Sequence, residues 1–189
     1  MIQIGRSVTV LKKESANITA QKYEEWIVQA FTKLLKEYSY QEITIKQITD
    51  QADISRQTFY RHFKSKEDII ELYSNTLSEE VSTRLNSLED KSMYNIFYCY
   101  FMFWKEHTAL LDLLKEANGE YLLSHYYNKS MLQTLNILRP VMPQYDEYSF
   151  HLIKSFLLGG LYQTKMQWQA NNYKDSPAEL ATLISQFVC

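Results

Sequence analysis

Apolar residues recur every three or four positions along most of this 189-residue chain, the spacing of helices with one buried face. The first such stretch predicts a helix from an N-cap at Thr19 to about Tyr38. Its apolar stripe consists of Tyr23, Ile27, Ala30, Phe31, Leu34 and Leu35. Residues 1–18 lack this period and are predicted to form a flexible N-terminal arm. With only 4 Gly and 3 Pro to interrupt helices, the pattern predicts an all-α fold of about nine helices.

The next stretch predicts two short helices joined by a tight turn. The first begins at Thr44, and Gln47 stands three residues later, as in a capping box. The turn is Asp53-Ile54, and Ser55 caps the second helix. The apolar positions are Ile45, Ile48 and Ala52 in the first helix, then Phe59 and Phe63 in the second. These positions predict that both helices pack with the preceding helix in a three-helix core.

The outer face of the second short helix is polar and has no acidic residue. It comprises Arg56, Gln57, Thr58, Tyr60, Arg61 and His62, all of which can donate hydrogen bonds. This composition suits a helix that lies in the major groove of DNA. Because Arg pairs with guanine and Gln with adenine, we expect Arg56, Gln57 and Arg61 to contact base edges.

Helical periodicity continues to the end of the chain. A fourth helix is predicted from Lys66 to about Leu85. The following one, Tyr94 to Glu106, is apolar on nearly all sides and is therefore expected to be buried on nearly all sides. Further helices are predicted over Thr108 to Glu116, Glu120 to Leu138, Asp146 to Asn171, and from Pro177, behind an N-cap at Ser176.

Charge and composition narrow the functional classes. Residues 1–66 carry 11 Lys and Arg against 7 Asp and Glu, a net of +4, whereas residues 67–189 have a net of −6. A basic N-terminal region that contains the predicted short helices favours nucleic-acid binding. No apolar run is long enough to cross a bilayer, and 2 Cys are too few for a disulfide framework. We therefore expect a reduced cytoplasmic protein that has no membrane partner.

The same short helices carry a family resemblance. The string T-I-x-x-I followed by A-x-I-S-x-x-T-F-Y-x-H-F-x-x-K-E-x-I, from Thr44 to Ile69, resembles the helix-turn-helix of TetR/AcrR-type transcriptional regulators. The chain departs from the family at Asp53 and Ser39, where Gly is usual, and Asp tolerates a left-handed backbone at modest cost.

The resemblance implies a helix-turn-helix DNA-binding domain over residues 19–64 and a regulatory and dimerisation domain over residues 65–189. It implies that Thr58, Tyr60 and His62 contact mainly phosphates. Thr44 and Lys66, at helix N-termini, are expected to add further backbone contacts. The implied partner is double-stranded DNA with a near-palindromic operator.

A second, looser resemblance covers the C-terminal stretch from Gly159 to Ile184. It implies that the last two helices pair with a second subunit in a four-helix bundle, which makes the protein a homodimer. The expected dimerisation residues are Gly159, Gly160, Leu180, Leu183, Ile184 and Phe187. Two glycines inside a helix each cost about 1 kcal/mol relative to Ala, so close approach of another helix should offset them. That helix could belong to the partner subunit or to the same chain.

Aromatic residues in the C-terminal half suggest a place for a small-molecule effector of unidentified chemistry. Lining residues are predicted to be Phe101, Trp104, Tyr127, Phe156 and Tyr162. A filled apolar core would explain the same residues.

The chain has no phosphate-binding Gly-rich loop, no G-x-S-x-G and no H-E-x-x-H, so we expect no enzyme activity, no cofactor and no metal. The sequence favours a dimeric repressor that a small molecule releases from its operator. The alternative is a DNA-bound coactivator or interaction module whose C-terminal domain binds a protein.

Overall fold

The computed structural model describes residues 21–117 and 131–188, and within these ranges it contains nine α-helices and no β-strand. The predicted all-α fold is therefore confirmed. The helices are α1 (residues 21–34), α2 (Ile45–Gln51), α3 (Arg56–His62), α4 (Glu67–Asn86), α5 (Met93–Glu106), α6 (Thr108–Glu116), α7 (residues 131–134), α8 (Glu147–Ala170) and α9 (Pro177–Val188). A 3₁₀-helix, Leu135–Val141, follows α7. None of the described helices is both long and apolar enough to cross a membrane.

The chain divides into two compact units, residues 1–69 and residues 70–189. In the N-terminal unit, most of the predicted apolar stripes of α1, α2 and α3 are buried, whereas Tyr23, Ile45 and Ala52 are half-buried. The most buried side chains are those of Ile27, Phe31, Ile48, Phe59 and Phe63, together with Ile43 in the loop before α2. The ring of Phe31 meets Tyr40 edge to face, with centroids 6.2 Å apart. This small apolar core holds the two short helices in place. The N-cap expected at Thr19, like the arm over residues 1–18, lies outside the described residues.

The C-terminal unit is built around α5. Its buried residues are Ile96, Phe97, Tyr100, Phe101, Phe103 and Trp104. α5 packs against α6 and α9, and α8 packs against α6 and the 3₁₀-helix. Phe101 meets Trp168 of α8 edge to face, at a centroid distance of 6.0 Å. This contact joins α5 to α8, two helices distant in sequence, within the core of the unit.

Two expectations about these helices need correction. α5 is not buried on all sides, because Tyr94 and Tyr98 are exposed and stack on each other with centroids 6.0 Å apart. The predicted helix from Glu120 to Leu138 is described only from residue 131, and it tightens into the 3₁₀-helix that contains Pro140. The ring of Pro140 would clash with the carbonyl four residues earlier in an α-helix, so an α-helix is disfavoured at this position.

Candidate nucleic-acid interface

Local hydrogen bonds define both short helices. The Thr44 hydroxyl accepts from the backbone N–H of Gln47 at 3.2 Å, and the Gln47 side chain accepts from the Thr44 N–H at 2.9 Å. The predicted capping box is thus present. Asp53 adopts φ 53°, so the chain turns through the left-handed conformation expected at that position. Ser55 then caps α3 by accepting from the N–H of Thr58 at 3.0 Å.

α3 presents one exposed, polar face. Phe59 and, just after the helix, Phe63 are buried, which turns the opposite side outward. The exposed residues are Arg56, Gln57, Tyr60 and Arg61, and we call this set the basic face of α3. The Arg61 guanidinium lies 5.7 Å from the centre of the Tyr23 ring, within cation–π range. The basic face therefore contains two fixed positive charges and no acid.

Two further predicted DNA contacts lie beside this face. Thr44, at the start of α2, is exposed. Thr58 is half-buried, and its hydroxyl lies 2.9 Å from the Ser55 hydroxyl. The Thr58 side chain thus also takes part in the N-terminal cap of α3.

His62 differs from expectation. Its side chain is only 8% exposed, and Nδ1 lies 3.5 Å from a carboxylate oxygen of Glu24 on α1. The ring also packs against Tyr23 at a centroid distance of 5.6 Å. His62 therefore connects α3 to α1 inside the domain, and this burial keeps it from serving as a phosphate contact.

Lys66 also has an internal role that the sequence did not reveal. Its ammonium donates to the carbonyls of Tyr40 at 2.7 Å and Ile43 at 2.9 Å, and it lies 4.2 Å from the Tyr40 ring centre. Burial lowers the pKa of Lys66, although Glu67 opposes this shift. Lys66 thus closes the loop between α1 and α2 rather than extending toward a phosphate.

Asp68, in the first turn of α4, makes hydrogen bonds to the residues just before the helix. Its carboxylate accepts from the backbone N–H of Lys64 at 2.7 Å and from the Ser65 hydroxyl at 3.0 Å. The bond from the Lys64 N–H holds the pKa of Asp68 below its usual value. Local hydrogen bonds therefore also fix the backbone between α3 and α4.

In the C-terminal unit, one side of α8 is open and partly apolar. Its exposed positions include Tyr148, Leu152, Phe156, Gly159, Gly160, Gln163 and Gln167, and the polar His151 and Ser155 are exposed between them. Among the residues that the structure describes, none lies within 4 Å of a Cβ added at either glycine. Packing against another of the described helices therefore does not account for the glycine pair.

The residues expected at the dimer contact on α9 separate into two groups. Leu183 and Phe187 are 62% and 75% exposed, whereas Leu180 is buried and Ile184 is half-buried. Leu180 thus belongs to the core of its own subunit, which corrects its assignment. The outward positions of α8 and α9 together are called the open apolar face: Tyr148, Leu152, Phe156, Gly159, Gly160, Leu183 and Phe187.

The predicted effector residues are not brought together as a set. Phe101 and Trp104 are fully buried, and Tyr162 is half-buried. Phe156 is 64% exposed on the open apolar face, so its assignment to an enclosed site within one subunit was wrong. Tyr127 lies outside the described residues. The surface depressions that are described are lined by residues of α1 and the α2–α3 turn, or by α9, and include none of these side chains.

The sequence analysis did not predict that Lys165, a charged residue of α8, would be buried in the C-terminal unit. Lys165 of α8 has no exposed surface, and its ammonium lies 3.9 Å from the ring centre of Trp104 and 4.8 Å from that of Tyr162. The helical spacing could have indicated this burial, because Lys165 lies four residues after Leu161 and three before Trp168, both on the buried side of α8.

Comparison with known proteins agrees with the geometry of the N-terminal unit. Residues 27–73 match the family model described as bacterial regulatory proteins, tetR family. No curated protein sequence matches the chain.

Solved structures extend the likeness to the whole fold. Lin0861 from Listeria innocua is 18% identical over 90% of this chain and 91% of its own, with a TM-score of 0.72. FadR from Bacillus halodurans, described as a fatty acid degradation regulator, is 16% identical over 86% of this chain and 92% of its own, with a TM-score of 0.58. At these identities the likeness establishes the fold alone. The capped helix-turn-helix, its exposed basic face and the match over residues 27–73 together identify the N-terminal unit as a DNA-binding domain of the tetR type.

Proposed function

We propose that this regulator is a cytoplasmic, homodimeric repressor that binds a near-palindromic operator and is released from it by a small-molecule effector. In this proposal, residues 19–64 bind DNA, and residues 65–189 dimerise and bind the effector. The observation that carries the proposal is the basic face of α3, exposed on a unit whose core contains Ile27, Ile48 and Phe59.

The chemistry of the basic face supports direct reading of DNA. Arg56, Gln57 and Arg61 have the donor geometry that pairs with guanine or adenine edges in the major groove. Tyr60 is 56% exposed beside them and can donate to a phosphate. Thr44 and Thr58 are proposed to add phosphate contacts, whereas His62 and Lys66 are left out because both are engaged within the domain.

The open apolar face supports the homodimer. Exposed Leu152, Phe156, Leu183 and Phe187 are costly in water and would gain from burial against a second copy. Gly159 and Gly160 lie among them without a side chain, which allows two helices to approach closely. A two-fold dimer would then place two α3 helices on two half-sites, about one helical turn of DNA or a multiple apart.

The effector site is proposed to lie in the C-terminal unit, and the depressions described on the surface do not include Trp104 or Tyr162. An effector can release DNA only if it binds more tightly to a conformer that does not fit the operator. The alternative, a DNA-bound coactivator or interaction module that binds a protein, is not favoured, because the neighbour with a stated role is a regulator.

The DNA proposal is tested by selecting a duplex from a random pool and measuring binding by fluorescence anisotropy across a salt series. Arg61→Ala should weaken binding to the selected duplex by about 1–3 kcal/mol and relax preference at particular base pairs. Arg61→Lys keeps the charge but loses the two-pronged donor, so it should lose preference while keeping the salt dependence.

Lys115→Ala is the matched control, because it removes one exposed positive charge from α6 in the other unit. It should leave base preference unchanged. If the Arg56, Gln57 and Arg61 variants all discriminate between selected and scrambled duplexes as well as the wild type, the basic face does not read bases.

A further inference from the structure

Two neighbouring residues of α1 contact the last turn of α3. The Arg61 guanidinium lies 5.7 Å from the centre of the Tyr23 ring, and the His62 ring lies 5.6 Å from it, between centroids. Glu24, the next residue of α1, has a carboxylate oxygen 3.5 Å from His62 Nδ1. Two consecutive residues of α1 thus meet two consecutive residues of α3, at the end of the basic face.

The Tyr23 ring is itself held by its other neighbours. Trp26, one turn further along α1, meets it edge to face at a centroid distance of 5.4 Å and an interplanar angle of 83°. The His62 side chain, only 8% exposed, packs against it from α3. Such aromatic pairs add stability beyond the area that they bury. Tyr23, which periodicity predicted to lie in the core, is therefore a half-buried platform beside the basic face.

This platform distinguishes the two arginines of the basic face. An arginine side chain samples many rotamers in water and loses that freedom when it pairs with a base. The face of an aromatic ring attracts a guanidinium within roughly 6 Å, and so restricts these rotamers before DNA arrives. Arg61 is within that range of Tyr23, whereas no ring of the described residues is within it for Arg56. Arg61 should therefore pay less of its ordering cost on binding.

We propose that Tyr23 is a positioning residue, which orients the Arg61 guanidinium for a two-pronged contact with a guanine edge. This inference rests on the DNA-binding function proposed above and adds a residue of α1 that determines its specificity. Tyr23 acts through Arg61 and makes no contact with a base itself.

Orientation of the guanidinium affects base recognition far more than general attraction to DNA. A bidentate contact with guanine O6 and N7 requires the plane of the guanidinium to match the base edge. Attraction to phosphates depends on charge and counterion release, which a change of rotamer leaves nearly unaltered. Loss of the Tyr23 ring should therefore weaken binding to the preferred sequence. Binding to an unrelated sequence, and its salt dependence, should stay the same.

The test measures binding of full-length protein to the selected duplex and to a scrambled one, by fluorescence anisotropy across a salt series. Tyr23→Leu should reduce discrimination between the two duplexes by about 2- to 5-fold, the range expected for a cation–π contact at an exposed site. Tyr23→Phe keeps the ring and should discriminate as the wild type does. Tyr38→Leu, at an exposed tyrosine of the same unit, is the matched control and should leave discrimination unchanged.

A double-mutant cycle tests whether Tyr23 acts through Arg61. Added to Arg61→Ala, the Tyr23→Leu change should cause no further loss of discrimination, because the side chain that it positions is already gone. Added to Arg56→Ala, it should cause the same loss as in the wild type. This difference separates positioning of one side chain from a general effect on the fold.

A second measurement needs no variant and no DNA. NMR relaxation of the arginine Nε–H groups in the free wild-type protein reports how far each side chain is ordered. Arg61 should have a clearly higher order parameter than Arg56. Equal order parameters would overturn the inference even if Tyr23→Leu proved unable to fold.

The binding outcomes separate this inference from the proposed function. If Arg61→Ala loses discrimination and Tyr23→Leu does not, base reading by Arg61 stands and the positioning role is wrong. If both Tyr23 variants weaken the two duplexes alike, the hydroxyl contacts a phosphate and positioning is again wrong. If Tyr23→Leu discriminates better than the wild type, the ring holds Arg61 away from the bases. If Arg61→Ala discriminates as well as the wild type, Arg61 reads no base and both proposals for it are overturned.

Discussion

The two units of this chain differ in which charged and apolar side chains are exposed and which are buried. In the N-terminal unit, Arg56 and Arg61 are exposed on α3, and Phe59 is buried beneath them. In the C-terminal unit, a charged Lys165 is buried, while Phe156 and Phe187 are exposed. The first unit thus has the ordinary distribution of a domain that is complete in one chain.

The difference indicates which interactions each unit still has to make. A polar exposed face such as that of α3 is stable in water and is ready for a charged partner such as DNA. An exposed apolar face is costly in an isolated subunit. We infer that the open apolar face of the C-terminal unit is the surface on which a second subunit would pack.

The largest expected effect is on the core of the N-terminal unit. Phe59→Ala should lower the free energy of unfolding of that unit by about 3–5 kcal/mol, because Phe59 is fully buried. Hydrogen exchange of α2 and α3 amides, with urea unfolding, measures the loss. Tyr60→Ala, at an exposed neighbour, is the control and should cost far less. Equal loss of protection in α5 and α8 would show that the two units are not separate in stability.

Replacing Lys165 should change how the stability of the C-terminal unit depends on pH. Lys165→Met removes an ammonium whose pKa burial lowers, so the effect of the variant on the free energy of unfolding should vary with pH. Because the pKa of Lys165 is lowered from 10.5 to about 7 on folding, the unfolded wild type binds more protons between these values.

Between pH 7 and pH 10.5, the free energy of unfolding of the wild type should therefore rise relative to that of Lys165→Met. Below about pH 7, the difference between the two proteins should stay constant. Urea unfolding at several pH values measures this, with Lys154→Met as the reference variant. A difference that grows with pH would show that Lys165 is not held as a desolvated ammonium.

The open apolar face predicts a change in assembly. Leu183→Glu should shift the protein toward monomer by at least about tenfold in dissociation constant, because the new charge would be buried in the proposed interface. Operator binding should weaken in parallel. Analytical ultracentrifugation measures the shift, and Tyr94→Glu, at an exposed aromatic residue on α5, is the control. A Leu183→Glu protein that stays dimeric would place the interface elsewhere.

The smallest expected effect distinguishes the two roles considered for Lys66. Lys66→Met should cost about 1–2 kcal/mol of stability in the N-terminal unit, because the carbonyls of Tyr40 and Ile43 lose their donor. The slope of DNA affinity against salt should stay unchanged once the variant is folded. A slope reduced by about one unit without loss of stability would restore Lys66 as a phosphate contact.

Most of the fold was predictable from sequence because helix ends are set locally. The capping box at Thr44, the left-handed Asp53 and the cap at Ser55 all involve residues within four positions of each other. The final helix also begins as predicted, since Ser176 and Glu179 exchange hydrogen bonds at its N-terminus. Such bonds depend little on the rest of the chain, so their sequence signatures are reliable.

The errors concern long side chains near the border between core and surface. His62 was predicted to face DNA, but Glu24 and Tyr23 of α1 enclose it. Phe156 was predicted to line a site inside the subunit, yet it lies on the open apolar face. Periodicity shows which residues share a side of a helix, but it does not show what lies against that side.

The sequence by itself thus determined the helices, their caps, the helix-turn-helix and the polar composition of α3, because residues close along the chain decide these features. Only the tertiary structure decided that Lys66 closes a loop 26 residues earlier and that Lys165 is buried against Trp104. The physical reason is that solvation of a charge depends on every atom around it, including those contributed by distant segments. Helix formation, in contrast, is directed by the caps and by the period of one short segment.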